Sequence, residues 1–146
     1  MGLNLTQNTI LFFDTAPFIY LFEKNEPFSR PVEKLLDAIY AANAQITTSL
    51  ITYIEINTAP AKAGKERLKA KYREYFTNSE GVSLQPVNLT IAEETIRFRA
   101  EYNLKTPDAI QLATAKYCGA DYVLTNDKAW RQITELDIVL VSELDG

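Results

Sequence analysis

Thr9-Ile10-Leu11-Phe12-Phe13-Asp14 is the stretch that decides the fold. A short, continuous apolar run suits a strand buried on both faces, whereas a strand with one wet face would alternate apolar and polar residues. The run stops at a carboxylate. Pro17 follows where a first helical turn tolerates proline, ahead of Phe18, Ile19, Leu21 and Phe22. Outward from this unit the pattern repeats. A helix is predicted over about residues 31–42, with Val32, Leu35, Leu36 and Ile39 on one face. Gln45-Ile46-Thr47-Thr48 is a β-branched stretch, and Ser49 offers an N-cap to a helix carrying Leu50, Ile51, Ile54 and Ile56, interrupted or re-aimed by Pro60 and Gly64.

Residues 65–76 are again helical in pattern, with Leu68, Tyr72, Tyr75 and Phe76 as the apolar stripe. Residues 82–87 read as a strand demoted to the sheet edge by Pro86. Thr90-Ile91-Ala92-Glu93 has the form of a capping box. Thr106-Pro107-Asp108 opens a further helix that Gly119 ends. Tyr122-Val123-Leu124 is a strand, followed by a turn at Thr125-Asn126-Asp127 and a short helix through Trp130, and residues 138–141 form a last strand. Strands alternating with helices predict one α/β domain over residues 1–146, with a mostly parallel sheet covered on both faces.

Composition removes whole classes of function. The 146 residues contain no His, which excludes Ser-His-Asp and Cys-His catalysis and His-ligated zinc. Cys118 is the one cysteine, so there is no disulfide framework within the chain. Fifteen Lys and Arg against nineteen Asp and Glu give a net charge of −4, which disfavours general attraction to duplex nucleic acid. No apolar run is long enough to span a membrane, and the first residues lack the basic start of a signal peptide. A cytoplasmic location is the expectation. The five glycines form no phosphate-cradling loop, so a Rossmann dinucleotide site and a P-loop are excluded. A phosphorylation receiver fails as well, because Asp14 has no acidic neighbour and no Asp follows the 82–87 strand.

Three acids stand where charge is scarce, and Asp127 makes a fourth candidate by its place after a strand. Asp14 is the sole charged residue from Met1 through Phe22, Glu55 is the sole one from Ala38 through Ala61, and Asp108 is the sole one between Lys105 and Lys116. Asp14 and Asp127 follow strands, and ligands of open parallel sheets bind in the crevice beyond the strands' carboxyl ends. An unpaired carboxylate in apolar surroundings costs several kcal/mol. Several gathered without Lys, Arg or His make an oxygen-rich site of the kind that suits Mg2+ or Mn2+. Three of the acids also have a plain structural role open to them, Asp14 and Asp127 as caps and Asp108 as an acid favoured by a helix N-terminus. Glu55 has the weakest such role, its helix neighbours Ile51, Thr52, Thr58 and Ala59 leaving it unpaired on an uncharged face.

Phe13-Asp14-Thr15 before an apolar helix, Glu55 in Ser49-Leu50-Ile51-Thr52-Tyr53-Ile54-Glu55, the Pro107-Asp108-Ala109-Ile110-Gln111-Leu112-Ala113 block and Leu124-Thr125-Asn126-Asp127 together resemble PIN-domain nucleases, the single-domain VapC-type toxins in particular. The resemblance spans nearly the whole chain. It implies a three-layer, doubly wound α/β/α fold around a roughly five-stranded sheet, and Mg2+- or Mn2+-dependent endoribonuclease activity, often paired with a cognate antitoxin. It further implies Asp14, Glu55, Asp108 and Asp127 as the metal-holding catalytic acids, with Thr125 lining the site. Two positions depart from the family pattern: Ala16 stands where many relatives have Asn or Ser, and Gln111 where His is frequent.

RNA would also need cations. Lys69, Lys71 and Arg73 lie in the densest basic stretch, interleaved with Tyr72 and Tyr75, and are the candidate substrate contacts; a solvated helix face explains them equally. Phe18, Phe22, Ile39 and Tyr40 could form a homodimer surface or pack in the core. The alternative to an enzyme is a PIN-like module that binds RNA or protein without cutting.

Overall fold

The computed structural model describes residues 2–145. Its five strands are β1 (Ile10–Phe13), β2 (Gln45–Ser49), β3 (Val82–Gln85), β4 (Tyr122–Thr125) and β5 (Ile138–Leu140). They form one sheet in the order β3-β2-β1-β4-β5, with every pairing parallel. The helices are α1 (Thr15–Glu23), α2 (Ser29–Ala42), α3 (Leu50–Lys62), α4 (Glu66–Asn78), α5 (Leu89–Tyr102) and α6 (Thr106–Tyr117). The three-layer, mostly parallel five-stranded architecture expected from the sequence is therefore what the chain adopts. No helix among the described residues is long and apolar enough to cross a membrane.

The alternation of side chains along β1 explains the layers. Leu11 and Phe13 point into a core shared with Phe18, Val32, Ile39 and Phe76, while Phe12 points into a second core with Ile91, Phe98, Leu112 and Trp130. All three β1 side chains are fully buried, which is why the run reads as unbroken apolar sequence. β4 repeats the device, with Leu124 in the first core and Val123 in the second.

Local chemistry sets the boundaries. The Ser49 hydroxyl accepts from the Ile51 N–H at 3.0 Å and starts α3, as expected. Pro60 does not break α3, which runs two residues past it. β3 is the edge strand anticipated from Pro86 and stops one residue short of it. The predicted capping box at Thr90 is displaced: Asn88 caps α5 by accepting from the Ile91 N–H at 2.9 Å, and Thr90 lies inside the helix. Asn ranks among the best N-caps, and its side chain reaches the third helical N–H from outside. The last strand ends at Leu140, Val141 turning into a 3-10 segment. Gly119, just past the end of α6, has φ +68°, a backbone conformation that side chains other than glycine's disfavour.

Phe18 and Ile39 are fully buried and Phe22 stacks within the first core's aromatic cluster. Of the suggested homodimer residues, Tyr40 alone is exposed, so core packing accounts for the others. Phe12→Ala and Phe13→Ala empty opposite sides of the sheet. Each is expected to cost about 3–5 kcal/mol, read as a lower urea midpoint at unchanged slope.

Candidate functional site

β1 lies at the centre of the sheet, and the chain builds first to one side of it (β2, β3) and then to the other (β4, β5). The crevice between the ends of β1 and β4 is thus a topological switch point, the usual ligand position in open parallel sheets. Asp14 follows β1 directly and Asp127 stands two residues beyond β4.

Asp14 is half-buried, and both of its oxygens are held. Oδ1 accepts from the Thr15 N–H at 2.8 Å and from Gln111 Nε2 at 3.3 Å, and Oδ2 accepts from the Thr125 hydroxyl at 2.8 Å. The first of these bonds is also the N-cap of α1, so the structural and the functional readings of this residue coincide. All three donors are neutral. Burial pushes the Asp14 carboxyl up to about 6, with the charge of Asp108 adding to the rise, against the three hydrogen bonds. Burial also raises Asp108, and the charges of Asp127 and then Glu55 raise it further, with Lys105 opposing. Asp108 is therefore the acid that shares its field with Asp14, Asp127 and Glu55.

Two threonines connect three of these acids, Asp14, Asp127 and Glu55. Thr125 donates to Asp14 and accepts from the Asp127 N–H at 3.1 Å. Asp127 in turn caps the 3-10 segment Lys128–Gln132 by accepting from Ala129 N–H at 3.0 Å. On the other side Thr15 donates to Glu55 Oε1 at 2.6 Å. Glu55 itself is exposed on α3, Asp108 is half-buried in the first turn of α6, and Asp127 is exposed. Thr125 is fully buried against Asp14.

A divalent ion fits this donor set, because the acids supply only oxygens and repel each other until a cation answers them. Among the described residues no three acidic or thiol side chains are gathered tightly enough to enclose an ion by themselves. Mg2+ does not require that, since it binds through one or two carboxylates and keeps several waters.

Gln111 emerges as the centre of the buried polar network, a role the sequence did not disclose. It is 2% exposed, contacts Ser49, Thr52, Thr15 and Asp14, and faces protein rather than substrate. The basic stretch divides by helical phase. Lys65, Leu68 and Tyr72 border a groove of about 460 Å3 together with Glu55, Glu23, Ile19 and Phe22. Lys65 and Leu68 also line a second cleft, shared with Arg67, Lys71 and Glu74, and Lys69 pairs with Glu66 at 3.2 Å. Of the basic stretch, Lys65 is the residue that borders Glu55's groove. Tyr72 and Tyr75 pack against Phe22. Trp130 is buried in the second core.

The family model for the PIN domain matches residues 11–136, and the chain belongs to that family. A toxin–antitoxin complex from Klebsiella pneumoniae contains a chain similar to it, with a TM-score of 0.69 and 29% identity over 90% of this chain and 97% of that one. VapBC2 from Rickettsia felis, bound to a promoter DNA fragment, matches with a TM-score of 0.73 and 18% identity over 90% and 98%. The sarcin–ricin-loop-cleaving toxin VapC20 from Mycobacterium tuberculosis matches with a TM-score of 0.67 and 15% identity over 85% and 95%. At these last two identities the likeness is one of fold. No curated protein sequence matches the chain.

The raised carboxyl of Asp14 carries a stability consequence. An unfolded Asp releases its proton near pH 4 and the folded one near 6, so between these values the native state holds more protons than the unfolded state. Stability therefore falls as pH rises through that window and stays lower above it. In chelator, Asp14→Asn is expected to be more stable than the parent at pH 7, by on the order of 2 kcal/mol, with the gain vanishing near pH 4. Urea unfolding at the two pH values checks this.

Proposed function

We propose that the chain is a Mg2+- or Mn2+-dependent endoribonuclease, the toxin of a type II toxin–antitoxin pair. The observation that supports this reading is Asp14 at the switch point of a PIN-domain sheet, both of its oxygens held by neutral donors and its charge within reach of that of Asp108. Asp14, Asp108, Asp127 and Glu55 would hold the ion. When bound, such an ion supplies Lewis-acid activation of water and neutralises charge at the phosphate.

The chain's own groups supply the rest. Thr125, Thr15 and Gln111 orient Asp14 before any ligand arrives, and preorganised ligands lose little on binding. Glu55, on the solvent side and steadied by the Thr15 hydroxyl, is placed to orient a water or accept its proton. Lys105, directly before α6 and close enough to moderate Asp108, is a cation available to a phosphate. Lys65 offers another beside the Glu55 groove. Lys69, Lys71 and Arg73 remain candidates for longer-range contact with RNA.

An antitoxin partner follows from the same reading. The groove between α1, α3 and α4 has apolar walls (Ile19, Phe22, Ile56, Leu68) and acids at Glu23 and Glu55. That chemistry suits a protein segment mixing apolar and basic residues, and several similar structures are toxin–antitoxin complexes. A cytoplasmic location accords with an RNA substrate.

The test is incubation of the purified protein with structured RNAs, with Mn2+ or with chelator. Cleavage is expected with the ion, is expected to stop in chelator, and should fall by roughly 100-fold or more in Asp14→Asn and Asp108→Asn. Cleavage unaffected by these changes would remove the assignment, and RNA binding without cleavage would make the chain a non-catalytic PIN module.

A further inference from the structure

Counting protons in the buried network fixes the direction of each hydrogen bond. A hydroxyl has one proton to give and a carbonyl oxygen has none. Thr48 gives its proton to the Phe13 carbonyl at 2.7 Å, so in the 2.8 Å contact between Thr48 and Thr52 the donor must be Thr52. With that proton used, Thr52 can only accept from Gln111 Nε2, at 2.8 Å. Ser49 donates to Gln111 Oε1, which places the amide oxygen on the side away from Asp14. Thr15 gives its proton to Glu55, so it can only accept from Gln111 Nε2, at 3.4 Å, and its 3.3 Å contact with Thr52 holds no hydrogen.

The amide nitrogen has two hydrogens and three acceptors. One hydrogen goes to Thr52. The other lies between Asp14 Oδ1 at 3.3 Å and Thr15 Oγ1 at 3.4 Å, a shared bond of the three-centre kind. That single N–H thus touches Asp14 and also the hydroxyl that holds Glu55. We propose that Gln111 is a positioning residue that fixes Asp14 and Glu55 relative to one another through Thr15. The proposal rests on the reading of these acids as the metal-holding set.

Side-chain chemistry makes the position demanding. Gln111 is flanked along α6 by buried Ala109, Leu112, Ala113 and Ala115. A buried amide among such neighbours costs free energy unless its hydrogen bonds are made. Glutamate would bring lone pairs against lone pairs at Asp14 and Thr52. Methionine fills a similar volume but donates nothing. Residues that orient metal ligands from behind commonly carry 10–100-fold of affinity or activity.

Mn2+ titration calorimetry on the intact chain, with RNA kinetics alongside, tests this. Gln111→Met is expected to weaken Mn2+ binding at least tenfold and to lower kcat with KM for RNA unchanged. Thr15→Val should do the same, while Thr15→Ser, which keeps the hydroxyl, should restore the parent values. The double variant Gln111→Met, Thr15→Val should lose less than the product of the two single losses. A folded Gln111→Met protein with parental affinity and kcat overturns the proposal. If that variant does not fold, Thr15→Val equal to Thr15→Ser overturns it instead. Should the parent itself bind no Mn2+, the metal reading fails independently, and NMR of the metal-free protein decides the network. Slowly exchanging Gln111 amide protons whose shifts move in Thr15→Val support it, and amide protons indifferent to that change refute it.

Discussion

Burial of the Asp14 carboxylate at the end of the central strand, among neutral donors, is the constraint on which the site depends. Hydrogen bonds from Thr15, Gln111 and Thr125 fix where its oxygens lie without cancelling its charge. The cost shows in its carboxyl, raised to about 6 because desolvation outweighs those bonds. Proteins retain such destabilising groups where function needs them, since selection acts on activity as well as on stability.

The fold exists in a form that imposes this constraint. β1 must be apolar on both faces to sit between two cores, and it must end where the sheet changes direction, so its first polar residue falls in the crevice. β4, paired with β1, delivers Thr125 against Asp14 and Asp127 just beyond it. α3, which follows β2 directly, carries Glu55, and α6 carries Asp108 in its first turn. The helix caps are therefore not separate from the site. Asp14 and Asp127 each start a helical segment, and Thr125 bonds to both.

Much of this was legible in the sequence because charge is scarce there. A lone Asp after four apolar residues, or a lone Glu in 24 residues, marks a position that packing alone does not explain. Strand number, edge position of β3 and the three-layer arrangement followed from apolar runs and proline placement. Gln111 was not legible as a network centre, because a neutral residue in a helix carries no sign of which buried hydroxyls will surround it. The phase of α4 was equally hidden. Periodicity identifies its apolar stripe, but only tertiary packing tells that Lys65 borders the Glu55 groove, whereas Lys71 lines only the neighbouring cleft. Asn88 in place of Thr90 as the α5 cap is a shift of two residues between competent caps, which local sequence ranks poorly.

Whether the acids at this crevice share a divalent cation can be read by diffraction from crystals soaked in Mn2+, recorded near the manganese absorption edge. An anomalous peak is expected in the crevice, in contact with Asp14 and within reach of Asp108. A saturating soak that leaves this crevice without a peak, or that places manganese only on distant surface carboxylates, would contradict it.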